Sequence, residues 1–320
     1  MPYTGATNPL VGTDTAADLK RDITLDVLQA KDRQTRFADL IRIDTISGGT
    51  SAGSFIIEGK EDTSDITGTA YDSANAATHL PAYPKGTQVQ VSNGTQDEII
   101  IALDRPQYES RRIDQWEQAI ARYDTLSMNV RQLGKRLANA IDRKCSAAIE
   151  AASLATGLVG NGNGTVIVNT ALNGGVAAGA TPALKGEALI ESIYAAIAAM
   201  EANDVIDEVF VGMSPANFQY LPQSLTVVNS LYTAENGGLD IGDVKMVGGA
   251  TVFKTNNMPT TPGLVALAFT KEAAGMVKLW DVKVDINPQP DFLNAKLINA
   301  YFSNGVAALR PQCAVSIKNV

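Results

Sequence analysis

Leu126-Ser-Met-Asn-Val130-Arg-Gln-Leu133-Gly-Lys-Arg-Leu137-Ala-Asn-Ala-Ile141-Asp-Arg-Lys-Cys145-Ser-Ala-Ala148-Ile-Glu-Ala-Ala152-Ser carries an apolar residue every three or four positions. Leu126, Val130, Leu133, Leu137, Ile141, Ala148 and Ala152 therefore fall on one stripe, the pattern of an amphipathic helix with a buried side. The spacing predicts one helix of about 28 residues from Leu126, about 42 Å long at 1.5 Å per residue. It sits in a helical block that the pattern carries from Arg112 to Ser153.

Downstream, Ala183 to Ala202 repeats the pattern with Leu189, Ile193, Ile197 and Met200, and Thr181-Pro182 supplies the start signal. Val209-Phe-Val-Gly212 has the composition of a buried strand, and Ser214-Pro215 opens another short helix. Leu264 to Phe269 is an apolar run. Trp280, Val282, Val284 and Ile286 then alternate with Asp281, Lys283 and Asp285, which gives one buried and one wet face. Asn287-Pro-Gln-Pro-Asp291 turns the chain into a return strand over Phe292 to Phe302, so a long two-stranded hairpin is expected.

Upstream, the segment to Ile46 places Leu19, Ile23, Val27, Leu28, Phe37, Leu40 and Ile41 partly at helical spacing, as an arm with one or two short helices. Ser47-Gly-Gly-Thr-Ser-Ala-Gly-Ser54 leads to a strand at Phe55-Ile-Ile57. Glu58 to Pro84 has too few large apolar residues for a core of its own, so it is expected to be an extended loop that finds partners elsewhere. Two strand-like runs flank Asn93-Gly94 between Gln88 and Leu103, the pattern of a tight hairpin.

The 320 residues carry 26 Lys and Arg against 34 Asp and Glu, for a net charge of −8 and a pI near 4.8. At 45% apolar the chain can bury a full core as two domains or one elaborate one, which excludes wholesale disorder. The charged fraction of 19% is below the roughly 25% usual for soluble domains, a sign of surface buried in partners. An acidic chain lacks the broad positive field of a dedicated nucleic-acid binder. No signal peptide is recognised, and Cys145 and Cys313, far apart in sequence, are expected to be buried thiols. His79 is the single histidine, which excludes His-rich metal sites. Ala151 to Leu184 lacks charge, but glycines and asparagines break it, so no membrane span is expected.

Catalytic patterns fail one by one. Gly160-Asn-Gly-Asn-Gly164 has no third glycine at the dinucleotide spacing, and Gly59-Lys60-Glu61 lacks the residues of a phosphate loop. Asn93-Gly-Thr95 and Asn163-Gly-Thr165 fit glycosylation sequons but are better explained as turns. Val209 to Ala216 imitates a hydrolase elbow around Ser214. Ala216 replaces its second glycine, Pro215 removes an oxyanion-hole N–H, and the sole histidine precedes the serine instead of following it. Serine as N-cap with proline at the first helical position explains the same residues. Asp204, Asp207 and Glu208 make no metal-loop spacing, and no catalytic residue, cofactor or metal is expected.

Four ordered stretches resemble the major capsid proteins of tailed bacteriophages, the Hong Kong 97 fold, with the short-tailed coliphage (podovirus) type nearest. They are Ile46-Ser-Gly-Gly-Thr-Ser-Ala-Gly-Ser-Phe55; Tyr123-Asp124 with Gln132-Leu-Gly134 and Leu137-Ala138; Gly263-Leu-Val-Ala-Leu-Ala-Phe-Thr-Lys271; and Gly275-Met-Val-Lys-Leu-Trp-Asp281 running to Gly305-Val-Ala-Ala-Leu-Arg-Pro311. The resemblance implies an α+β chain with an N-terminal arm (1–46) and an extended loop (47–86). It further implies a peripheral domain with a spine helix and hairpin (87–155 and 276–304) and an axial domain (156–275 and 305–320). It implies self-assembly as hexamers and pentamers into an icosahedral virion shell around double-stranded DNA, assembled in the host cytoplasm. A separate scaffolding protein, a portal protein and a decoration protein would be partners. An encapsulin-like compartment is the alternative within the fold, and a serine hydrolase the remote alternative outside it.

Charge is segregated along the chain. Glu58, Glu61, Asp62, Asp65 and Asp72 stand against Lys60, a net of −4 over residues 58–72, while residues 105–144 hold nine basic and five acidic residues, a net of +4. In the resembled fold the loop lies over a neighbour's spine helix. The acidic loop is therefore expected to meet a basic helix face of Arg131, Lys135, Arg136, Arg143 and Lys144 between subunits. The alternative sends those cations toward packaged DNA as a diffuse contact.

Overall fold

The computed structural model describes residues 24–29, 35–46, 51–58, 96–120, 125–156, 163–173, 181–203, 205–224, 246–289 and 295–319. Its longest helix grows from the stripe quoted above. After the short helices α1 (24–29) and α2 (Gln115–Ile120), α3 runs from Thr125 to Leu154, 30 residues or about 45 Å. Val130, Leu133, Leu137, Ile141, Ile149 and Ala152 of α3 are all buried.

That buried side packs on β4 (Gln107–Ile113), β11 (Ala295–Ala308) and β12 (Ala314–Lys318). One sheet has the order β1-β10-β11-β4, with β1 (Arg42–Thr45) parallel to β10 (Ala274–Gln289) and the others antiparallel. The second has the order β5-β12-β9-β6-β8-β7, built from β5 (Thr165–Val168), β6 (Phe210–Met213), β7 (Met246–Val247), β8 (Ala250–Lys254) and β9 (Leu264–Phe269) together with β12. Helix α4 (Pro182–Glu201) covers part of this sheet. Thr181 caps it by accepting from the Leu184 N–H, and Pro182 stands in its first turn, as the sequence predicts. The one-turn helix α5 (Pro215–Phe218) is capped by Ser214 Oγ, which accepts from the Asn217 N–H at 3.3 Å. Ser214 thus has the capping role that its sequence context gives it.

The hairpin β10–β11 is longer than expected. Its pairs run from Ala274↔Ala308 to Gln289↔Ala295, and both strands cross the residue limits 275/276 and 304/305 without a break. Val282 and Val284 face the core as the alternation predicts, but Trp280 is 38% exposed. Register shifts on both sides of Trp280 explain this, because a bulge inserts a residue and rotates the next side chain off the buried face. Trp280 packs edge-on against Tyr301 at 6.2 Å, with Lys283 Nζ 4.7 Å from its ring centre.

Two other expectations change. The block from Arg112 does not begin as helix, because Arg112 and Ile113 end strand β4, paired with Leu297 and Lys296. Local pattern could not show this, since Gln107-Tyr-Glu-Ser-Arg-Arg-Ile113 owes its extended form to the ladder offered by β11. The run over 96–102 is strand β3 (Gln96–Ala102), and its described partner is β2 (Ala52–Glu58), in register from Ala52↔Ala102 to Glu58↔Gln96. Residues 88–95, with the expected Asn93-Gly94 turn, lie outside the described residues, as do His79, Gly160, Tyr123 and Asp124. Phe55 and Ile101 of this ribbon pack on Val277 and Leu309 as a small second core.

Cys145 and Cys313 are free and fully buried. Burial first, then the nearby Asp142 carboxylate, pushes the Cys145 thiol up to about 12. Burial pushes Cys313 up to about 11. Since the thiolate is the reactive form, neither should be labelled by a maleimide at pH 7.5 in the folded chain, and both should react within minutes in denaturant. Rapid labelling of the native chain would contradict this packing.

Candidate assembly surface

The five basic residues proposed from sequence do not share one face of α3. At about 100° per residue, Arg131 and Lys135 lie within about 40° of each other, while Arg136 and Arg143 lie about 100° further round. Arg136 Nη1 contacts Glu109 Oε1 of β4 at 2.6 Å, and the Arg136 side chain remains 64% exposed. Lys144 Nζ reaches Asp104 Oδ2 at 2.8 Å and Asn304 Oδ1 at 3.4 Å, and lies 5.9 Å from the Phe302 ring centre. Arg131, Lys135 and Arg143 are exposed and make no ion pair among the described residues. Glu58 is the last residue of β2; Glu61, Asp62, Asp65 and Asp72 lie outside the described residues.

A polar centre that sequence reasoning missed ties three parts of the chain together. Asp142 Oδ1 accepts from the backbone N–H groups of Arg36, Phe37 and Ala38 at 3.0, 2.7 and 3.1 Å. Its Oδ2 accepts from Asn257 Nδ2 at 3.0 Å. Asn257 Nδ2 also reaches Asn139 Oδ1 at 3.2 Å, and the Asn257 carbonyl accepts from Ser146 Oγ at 2.7 Å. Three successive N–H groups converging on one oxygen form an anion nest. Burial raises the Asp142 carboxyl above its ordinary value of 3.8, outweighing these hydrogen bonds, which act the other way. The one sequence signal was an aspartate at the margin of an apolar stripe, without a cation at helical spacing on that margin.

The nest holds Phe37 in the core, at 5.2 Å from Phe253 and 5.6 Å from Phe269 between ring centres. Residues 35–45 are thereby tied to both sheets: Phe37 enters the second, and β1 adds to the first.

Apolar side chains remain exposed on several elements. Tyr108 of β4 and Trp116 of α2 are 74% and 70% exposed, with Ile120 and Met128 nearby in sequence. The outer face of the β2–β3 ribbon shows Ile56 and Ile100, and the edge strand β5 shows Val166 and Val168. Exposed apolar groups on separate elements are suited to several modest contacts, unlike a single ligand cleft. Among the described residues, no three His, Cys, Asp or Glu side chains gather as metal ligands, and no helix is long and apolar enough to cross a membrane.

No protein-family model and no curated protein matches the sequence. The backbone does match solved structures. The capsid of cyanophage P-SCSP1u superposes with a TM-score of 0.70 at 23% identity, over 89% of this chain and 88% of that one. The mature capsid of bacteriophage PhiM1 gives 0.65 at 16%, over 90% and 87%. A virus-like particle from Pyrococcus furiosus gives 0.54 at 12%, over 94% and 100%. A ribbon, a long helix, a second sheet and a long hairpin, met in that order along the chain with β12 closing the second sheet, give the chain the α+β Hong Kong 97-type capsid fold.

Proposed function

We propose that this chain is the major capsid protein of a tailed phage, self-assembling as pentamers and hexamers into an icosahedral shell around double-stranded DNA. The observation that carries the proposal is likeness along nearly the whole chain to subunits of phage capsids, at TM-scores of 0.70 and 0.65. Arm anchorage, an outlying ribbon and exposed apolar groups on several elements support it, because a closed shell is held by many repeated contacts that become cooperative through geometry. An encapsulin-like compartment fits less well, since the virus-like particle of Pyrococcus furiosus superposes at 0.54.

The finer parts of the proposal rest on the sequence stretches quoted above. They are the short-tailed type, the division into arm, loop, peripheral and axial parts, a virion location after assembly in the host cytoplasm, and scaffolding, portal and decoration partners. The pairing of the acidic segment 58–72 with a neighbour's basic α3 residues is also part of the proposal. Because Arg136 and Lys144 already have partners within the chain, Arg131, Lys135 and Arg143 would carry that contact. Each exposed pair would contribute at most about 1 kcal/mol, which sets register more than strength.

Electron microscopy of the sedimented protein tests the proposal. Uniform icosahedral shells that contain DNA and a portal vertex are expected. Shells filled with protein cargo would support the compartment instead, and a chain that stays monomeric with or without co-expressed phage factors would sink both.

A further inference from the structure

Arg136 pairs with Glu109, Lys144 with Asp104, Arg112 with Asp114, Arg310 with Glu272 and Lys318 with Glu150. Of the cations with no ion pair among the described residues, three converge. Arg36 of the arm, Arg143 of α3 and Lys254 at the end of β8 line one half-open cavity of about 700 Å³, whose lining contains no carboxylate among the described residues. None of the three makes an ion pair among the described residues. Neutral amides, among them Asn139, Gln219 and Asn256, share the wall.

Each cation stands on a fixed support. The Arg36 backbone N–H is held by Asp142, Arg143 follows Asp142 on α3, and Lys254 Nζ lies 5.3 Å from the Phe218 ring centre. The supports belong to three different parts of the chain, so the convergence is a product of the fold and of no local sequence run. Like charges gathered without a counter-charge repel one another and cost stability, and a bound anion removes that cost.

Charge arithmetic selects the anion. Asp142 lies against this wall through its bonds to the Arg36 N–H and to Asn257 Nδ2, buried and with its oxygens committed to the nest. Its single negative charge leaves the cavity about two positive charges in excess. A phosphate group carries about −1.5 to −2 at neutral pH, with oxygens that accept from guanidinium and amide donors together. We propose that this cavity, where arm, spine helix and the residues after β8 meet, is a binding site for a phosphate-bearing anion. The source is either free phosphate or the phosphates of a nucleic-acid strand.

Isothermal titration of the full-length chain with inorganic phosphate at low ionic strength tests it, beside fluorescence anisotropy with a labelled five-nucleotide single strand. The variants are Arg36→Gln, Arg143→Gln and Lys254→Met. One saturable phosphate site per chain is expected, weakened at least tenfold by each substitution, with melting temperatures near that of the parent. Should one variant fail to fold, the other two decide, since these side chains are exposed. Oligonucleotide binding that phosphate displaces and the variants lose assigns the site to a strand, whereas phosphate binding alone assigns it to the free ion; both sustain the proposal. Absence of saturable phosphate binding, equal affinity in parent and variants, or binding only of a synthetic peptide of residues 58–72 would overturn it. The outcome is independent of whether shells form.

Discussion

Asp142→Ala is expected to lower stability by about 3–5 kcal/mol, a large share of the roughly 5–15 kcal/mol that holds a typical domain. The substitution leaves the N–H groups of Arg36, Phe37 and Ala38 and the amide of Asn257 facing a cavity. A buried donor without a partner costs about 1–3 kcal/mol, and groups that share one acceptor do not add fully. Asp142→Asn keeps one oxygen in the nest but turns its NH2 toward Asn257 Nδ2, so Asn257 must rotate and give up Asn139. A cost of about 1–2 kcal/mol is expected there. Denaturant unfolding of the unassembled chain reads both values. An alanine variant within about 0.5 kcal/mol of the parent would show that the nest is not what anchors residues 36–38.

The sign of the pH dependence follows from burial. With the folded-state carboxyl raised above 3.8, the folded chain holds the Asp142 proton more tightly than the unfolded chain does. The associated stability is complete below about pH 4 and is lost as pH rises through the raised value. Asp142→Asn does not titrate there, so the gap between parent and variant should narrow as pH climbs above 4. A gap that widens over that range would contradict the direction.

The second large effect is expected at Gly305. A Cβ at this position would overlap the backbone carbonyl oxygen of Ala102, with the Ile101 side chain at 3.2 Å. A carbonyl in a strand cannot swing aside as a side chain does, so Gly305→Ala must push the β2–β3 ribbon off the hairpin. Overpacking of this kind costs about 1–3 kcal/mol, and here the loss falls on the small core of Phe55, Ile101, Val277 and Leu309. Faster amide exchange in residues 96–102, little change in α3 and, under the proposed function, failure to form closed shells are the expected readouts. Normal shells from Gly305→Ala would mean that ribbon docking does not matter for assembly.

These two positions show why part of the molecule was legible beforehand and part was not. The α3 stripe, the β10 alternation and the caps at Thr181 and Ser214 are local patterns, and local patterns survive in sequence. Strand β4 and the parallel pairing of β1 with β10 depend on ladders offered by residues about 200 positions away. The Asp142 nest has even less to read, because three of its four donors are backbone groups that every residue possesses. The charge segregation was legible, but not that Glu109 and Asp104 would neutralise two of the five expected cations within the chain.

The order of the second sheet governs how the chain can be made. Strand β12, residues 314–318, lies between β5 and β9, pairing parallel with one and antiparallel with the other. Until residue 318 has left the ribosome, β5 has no neighbour among the described strands and β9 keeps an open edge. Long-range pairing of this kind is slow and leaves strand edges exposed meanwhile. A growing chain can therefore settle its spine helix early, yet no truncated product stopped before β12 can complete the second sheet. Synthesis itself acts as a quality gate on which chains complete the second sheet.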